Sequence, residues 1–256
     1  MNEVRILASI SHPCIIGYKE AFIDDGAYLY IVMDFANDGD LFQKITKFKK
    51  ASIVFSEEQV WKIVIGAVCG LKKLHDLKVF HRDIKSANLF LESHGGALLG
   101  DMNVSKVAKA GFLYTQTGTP YYASPEVWND KPYNSKSDIW SLGCVLYETL
   151  TLHPPFRASN MNDLYKRVVK GVFDDPPSVY SRDLKRLIKS MITVQPDLRP
   201  SADQILGSRE VAKAIKYFNM DFSDIMPEST GGKTPRVSLG LGTITSEAAQ
   251  MINNGN

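Results

Sequence analysis

Up to Asp34 the sequence reads as a short helix followed by two strands, and beyond it apolar positions fall mainly into helical spacing. Met1–Ile10 sets Val4, Leu7 and Ala8 on one side of a helix. Ile15–Phe22 and Tyr28–Asp34 are expected strands, joined by a tight turn at Asp24-Asp25-Gly26. Ser56-Glu57-Glu58-Gln59 is a capping box, in which Ser56 accepts from the amide three residues on while Gln59 reaches back. It opens a long helix with Val60, Val64, Val68, Leu71 and Leu74 on one face, ending near Leu77. Helical patterns resume over Ser137–Leu150, Asn160–Lys170, Ser181–Met191 and Ser201–Tyr217, the last opened by the capping box Ser201-Ala202-Asp203-Gln204. Between Val79 and Pro132 the spacing gives way to turns, short strands and titratable groups. An interruption of that length inside a compact domain is usually functional. Beyond about Asp224, Gly231, Gly232, Gly240 and Gly242 among scattered Ser and Thr leave little periodicity, and a disordered tail is expected.

Composition changes this picture little. At 256 residues, 44% hydrophobic and 23% charged, the chain has apolar material for a sizeable core in one large domain or two modest ones. A net charge of +2 supplies no electrostatic drive towards nucleic acid or an anionic membrane. The densest basic run, Lys44 to Lys50, reads as the solvated end of a helix, where cations offset the macrodipole. Cys14, Cys69 and Cys144 are unclustered in apolar surroundings, which predicts buried free thiols in a reducing compartment. The N-terminal residues lack a basic region followed by an apolar one, and no apolar run approaches the roughly 18 residues that cross a bilayer. A soluble intracellular protein is the expectation.

The informative stretch is His81-Arg82-Asp83-Ile84-Lys85-Ser86-Ala87-Asn88, followed by Leu89-Phe90-Leu91. A carboxylate can orient a hydroxyl proton, an ammonium two residues on can screen a phosphoryl oxygen, and an amide oxygen five residues on can ligate a hard cation. A second carboxylate, Asp101, follows the short strand Ala97–Gly100. Phosphoryl transfer needs a divalent ion on the triphosphate, and such ions prefer carboxylate oxygen. Gly118-Thr119-Pro120-Tyr121-Tyr122-Ala123-Ser124-Pro125-Glu126 comes next, then Ser137-Asp138-Ile139-Trp140-Ser141-Leu142-Gly143, and finally Arg199 before Pro200.

In this order and at this spacing the blocks resemble the signatures of eukaryotic protein kinases, from Met1 to about Tyr217. The resemblance implies an α+β, protein-kinase-like fold with a complete, mainly helical large lobe and a partial small lobe of one helix and two strands. Residues 1–36 would be the partial small lobe and hinge, 37–222 the large lobe and 223–256 the tail. ATP and Mg²⁺ are the implied cofactors and protein hydroxyls the implied substrates, with no role for nucleic acid or membrane. Asp83 would be the catalytic base and Lys85 would steady the γ-phosphate, while Asn88 and Asp101 would hold metal. Met33 would be the gatekeeper, Asp34 and Ala36 part of the adenine-binding hinge, and Phe90 the floor of the adenine pocket. Asp138 resembles the buried aspartate that braces the catalytic loop, and Glu126 with Arg199 resembles a structural ion pair behind the activation segment. Lys85 with Gly118-Thr119-Pro120 is similar to serine/threonine rather than tyrosine kinases. Tyr30–Phe35, Gly39-Asp40-Leu41 and Gly118–Glu126 resemble the NIMA-related kinases, which implies a cytoplasmic protein with cytoskeletal or ciliary association. Arg82 before the base implies pairing with a phosphorylated activation-loop residue, Thr115 first and Thr117 next.

Two departures stand out. The family's Asp-Phe-Gly is here Asp101-Met102-Asn103: methionine fills the apolar slot, and asparagine tolerates the positive φ that glycine would supply. Glu3 matches the helix glutamate whose lysine partner, with a glycine-rich loop, is expected upstream of Met1. Two readings follow: an incomplete copy of an ordinary kinase, or a degenerate kinase that relies on a partner protein to cover the partial small lobe, a non-catalytic scaffold binding partners through the large lobe and the Asn160–Lys170 helix region.

Overall fold

Two strands lead into a helical body in the computed structural model, which describes residues 9–24, 26, 28–101 and 120–226. Val4, Leu7 and Ala8 of the first expected helix, Asp25 of the turn and the tail beyond Met226 lie outside the described residues. Strands β1 (Tyr18–Ile23) and β2 (Leu29–Met33) pair antiparallel. Asp24 shapes their turn, its Oδ1 accepting from the amides of Gly26 and Tyr28.

The first strand begins later than the pattern suggests, because the residues before it pair elsewhere. Leu99 donates its amide to Cys14 O and accepts at its carbonyl from Ile16 N, which makes a parallel bridge between Ile15 and Leu99. Leu99 belongs to β4 (Ala97–Leu99), which pairs antiparallel with β3 (Leu89–Leu91).

The lysine run lies on α1 (Leu41–Ala51), with Lys49 and Lys50 in its last turn. Asp40 caps it by accepting from Gln43 N at 2.8 Å. Helix α2 (Glu57–Asp76) shows both halves of its capping box, Gln59 N to Ser56 Oγ at 3.2 Å and Ser56 N to Gln59 Oε1 at 2.9 Å. Its apolar face is wider than the pattern implies: Trp61, Ile63, Ile65, Ala67 and Cys69 are buried beside Val60, Val64, Val68, Leu71 and Leu74. Packing on several sides encloses this helix.

After α3 (Pro125–Trp128) comes α4 (Ser135–Thr151), in which every residue from Ser137 to Leu150 is buried. Helices α5 (Met161–Lys170) and α6 (Arg182–Met191) start at the caps Asn160 and Ser181. The single helix expected over Ser201–Tyr217 is two, α7 (Ala202–Leu206) and α8 (Arg209–Tyr217). Gly207 ends the first and Ser208 caps the second, accepting from Val211 N. One core joins α2, β3, β4, α4, α6 and α8, and all three cysteines are buried in it. Among the described residues no helix is long and apolar enough to cross a membrane.

Candidate active site

The loop from His81 to Asn88 is held from behind by α4. Asp138, fully buried, accepts from His81 N and Arg82 N at 3.0 Å each, from the Tyr133 hydroxyl at 2.5 Å and bonds to His75 Nε2 at 2.9 Å. Burial pushes its carboxyl pKa up, but the His75 bond and the surrounding donors carry it below the usual aspartate value. These bonds hold Arg82 at φ +64°, a left-handed conformation rare outside glycine. The Arg82 guanidinium lies over the Tyr133 ring, 5.7 Å from its centroid.

In front of this brace the titratable groups converge. Lys85 Nζ is 3.0 Å from Asp83 Oδ2, and Asn88 Nδ2 donates to Asp83 O at 2.8 Å and to Asp83 Oδ2 at 3.3 Å. A short 3₁₀ turn, Ser86–Asn88, brings Asn88 back onto Asp83 and buries it. With its NH₂ committed to Asp83, the Asn88 amide turns Oδ1 away from that carboxylate.

Gly100, the residue before Asp101, is tied to the same loop by two bonds. Gly100 N donates to Asn88 O at 3.0 Å, and His81 Nε2 lies 3.0 Å from Gly100 O. Burial lowers the His81 pKa, so the ring is neutral. Its Nε2–H then donates to Gly100 O while Nδ1 faces Asp83 N at 3.4 Å. One neutral imidazole therefore links the backbone of Asp83 to the residue before Asp101. Asp101 is exposed, at φ +49°. An amide oxygen and a solvent-facing carboxylate are hard donors that suit Mg²⁺, which binds few protein ligands and keeps the rest of its sphere for water and phosphate.

A small apolar patch adjoins this locus. Ala36 and Phe90 pack with Ile16 and Leu98, and Asp38 N and Gly39 O bond the backbone of Leu91. A Cβ on Gly100 would stand 2.5 Å from the Phe90 ring, so glycine is required for the ring's position. Met33 lies on the exposed strand β2, and Asp34 pairs with Lys19 at 2.6 Å and accepts from Gly17 N.

Arg199 grips Glu126 with two bonds of 2.6 and 2.7 Å, both groups almost fully buried. Burial pushes the Glu126 carboxyl up, but the Arg199 bond and charge pull it below its ordinary value. Arg199 also donates to the carbonyls of Thr193, Val194 and Lys136, and its guanidinium covers Trp140.

Spacing alone did not disclose His75, Tyr133 or the contact between Ser86 and Tyr122. The Tyr122 hydroxyl donates to Glu148 Oε2 at 2.6 Å and lies 3.1 Å from Ser86 Oγ, while Ser141 Oγ donates to Tyr122 O at 2.8 Å. Tyr122 thus ties the 81–88 loop and the 120–124 segment to α4. The partners of His75 and Tyr122 are far away in sequence, and Tyr133, five residues before Asp138, belongs to none of the motif blocks. Glu3, Met102, Asn103, Thr115, Thr117, Gly118 and Thr119 lie outside the described residues.

Comparison with known proteins agrees with this geometry. The family model described as protein kinase domain matches residues 1–209. Serine/threonine-protein kinase Nek1 of Mus musculus is 44% identical over 219 residues, covering 85% of this chain and 18% of the relative. Serine/threonine-protein kinase Nek3 of Mus musculus is 41% identical over 216 residues, 84% of this chain and 42% of the relative. The probable serine/threonine-protein kinase nek2 of Dictyostelium discoideum is 37% identical over 221 residues, 84% of this chain and 53% of the relative. The chain therefore spans between about a fifth and a half of the length of these relatives.

Proposed function

The chain belongs to the protein kinase domain family, and from that premise we propose that it acts as a serine/threonine kinase, moving the γ-phosphoryl group of ATP to hydroxyls of protein substrates. The observation that carries this reading is the circuit of Asp83, Lys85, Asn88, His81 and Gly100, which sets a carboxylate, an ammonium and an amide at one locus and ties to it the backbone of Gly100, the residue before Asp101. Asp83 takes the hydroxyl proton of the substrate and orients the oxygen for attack. Lys85, now on Asp83, turns to the transferred phosphoryl group and offsets its charge. Asn88 Oδ1 and the Asp101 carboxylate would hold Mg²⁺, which when bound neutralises charge on the triphosphate. Ala36 and Phe90 supply an apolar surface for the base, with Met33 and Asp34 at its edge.

Residues 1–36, 37–222 and 223–256 are read as small lobe with hinge, large lobe and tail. Phosphorylated Thr115, or Thr117, would meet Arg82, whose guanidinium lies over the Tyr133 ring. A cytoplasmic setting belongs to the same reading.

The test is phosphate transfer to a serine/threonine peptide with ATP and magnesium. Asp83→Asn should reduce turnover about 10²–10⁴-fold while leaving the ATP-dependent thermal shift in place. Activity within a few-fold of wild type would remove Asp83 as the base. A scaffold reading draws on β2, where all five residues are exposed and offer an apolar surface to a partner protein. That reading takes the lead if ATP gives no magnesium-dependent thermal shift.

A further inference from the structure

The β1–β2 hairpin carries the largest run of uncovered apolar side chains among the described residues. Phe22, Ile23 and every residue from Tyr28 to Met33 are between 37% and 69% exposed. At about half exposure each, they leave on the order of 800 Å² uncovered, against roughly 300–600 Å² for the largest patch on a typical monomer. That area is about what each partner contributes to a standard protein interface.

The backbone at this place is open as well. Strand β2 pairs with β1 alone among the described strands. Asp24 N donates to Tyr28 O at 3.2 Å, and Asp34 N donates to Gly17 O at 2.8 Å. Even-numbered residues of β2 thus turn their backbone groups to β1. The alternation of an antiparallel ladder then points the N–H and C=O groups of Leu29, Ile31 and Met33 to the open edge. Between Tyr28 and Met33 there is no glycine, proline or charged residue of the kind that guards an edge strand. Strand β1 differs, since it carries Lys19 and Glu20.

We propose that the open edge of β2 is a self-association surface, on which a second copy of this chain adds its own β2 antiparallel about a two-fold axis at Ile31. The strand is self-complementary in that register. Ile31 faces its own counterpart, Leu29 faces Met33, and Tyr30 faces Val32 in an aromatic–β-branched pair. That pair extends the stack of Phe22 on Tyr30 along one face of the sheet. The two Asp34 carboxylates fall at opposite ends, so no like charges meet. Two marginal hairpins become one four-stranded sheet. The charges on β1 keep its outer edge from pairing in turn, so association closes at two copies. The inference rests on the scaffold reading for its surface and names the partner. It asks nothing of the phosphoryl-transfer residues and is measured without nucleotide.

The experiment is sedimentation equilibrium of the 256-residue chain across the micromolar range. The mass should rise from one chain to two and no further. Ile31→Lys, at an exposed position and checked for folding by circular dichroism, sets two ammonium groups against each other and should weaken association at least ~10²-fold. Residues opposite each other in a hydrogen-bonded pair stand about 5.5 Å apart at Cα, within disulfide reach. Mild oxidation of Ile31→Cys should therefore give a covalent dimer linked at position 31. Val172→Cys, at a position 71% exposed, should not. A single-chain mass throughout would overturn the proposal, and protection of the Leu29–Met33 amides in that monomer would assign the edge to another segment of the chain. Open-ended aggregates, a dimer that Ile31→Lys leaves intact, or linkage as ready at 172 as at 31 would overturn it too. Failure here leaves the scaffold reading to the ATP-dependent thermal shift, which decides it separately.

Discussion

Glu126 and Arg199 are a buried ion pair whose remaining valences are filled, since Ser137 Oγ donates to Glu126 and three backbone carbonyls accept from Arg199. Removing one partner leaves the other charged and unpaired in the core. Arg199→Met should therefore cost about 3–5 kcal/mol of unfolding free energy, measured by denaturant melts at neutral pH. The double variant Glu126→Gln with Arg199→Met should lose less than Arg199→Met alone, because no orphan charge remains. The pH dependence follows from the depressed Glu126 carboxyl: its contribution is complete above its ordinary value of 4.5 and is lost as pH falls through the depressed one. The advantage of wild type over Glu126→Gln should then shrink as the melts are repeated below pH 4.5. An advantage that grows towards low pH would refute this account of the pair.

At the scale of elements, local chemistry was the legible part. Capping boxes at Ser56 and Ser201 lie where the sequence puts them, because a cap is decided by residues three positions apart, and the helical stretches expected from Asn160 and Ser181 have those residues as their caps. The break at Gly207-Ser208 uses equally local signals, but the apolar period ran through it and concealed them. Close backbone approach was not legible. Gly66 faces Ala97 of β4, and a Cβ there would stand 2.6 Å from Ala97 O and 3.0 Å from Ala97 N. Helix propensity alone favours Gly66→Ala by roughly 1 kcal/mol. Contact with fixed backbone should reverse the sign, and the variant is expected to be destabilised by about 1–3 kcal/mol in thermal or urea melts. A more stable Gly66→Ala protein would mean that α2 can move away from the sheet. Site residues show the same division: the run from Asp83 to Asn88 is readable as a string, whereas Tyr133, Tyr122 and Glu148 matter through contacts that only the fold creates.

For the whole molecule, α4 is the common support. Ser137 holds Glu126, Asp138 holds the backbone of His81 and Arg82, and Ser141 and Glu148 hold Tyr122. Two segments, 81–82 and 122–126, are thus registered on one helix whose centre is wholly buried. The β1–β2 hairpin is built differently. Each residue of β2 is exposed, Phe22 stacks on Tyr30 at the surface with ring centroids 5.2 Å apart, and a two-stranded sheet alone is marginally stable in water. Local opening should therefore be far easier in the hairpin than in α2 and α4. Hydrogen exchange on the 256-residue chain should find amides of Leu29–Met33 exchanging orders of magnitude faster than those of Ser137–Leu150. The latter should follow global unfolding, with exchange free energies matching the denaturant value. Equal protection in hairpin and helix would show instead that another part of the chain covers β2 in solution, and the hairpin would then belong to the same cooperative unit as the core.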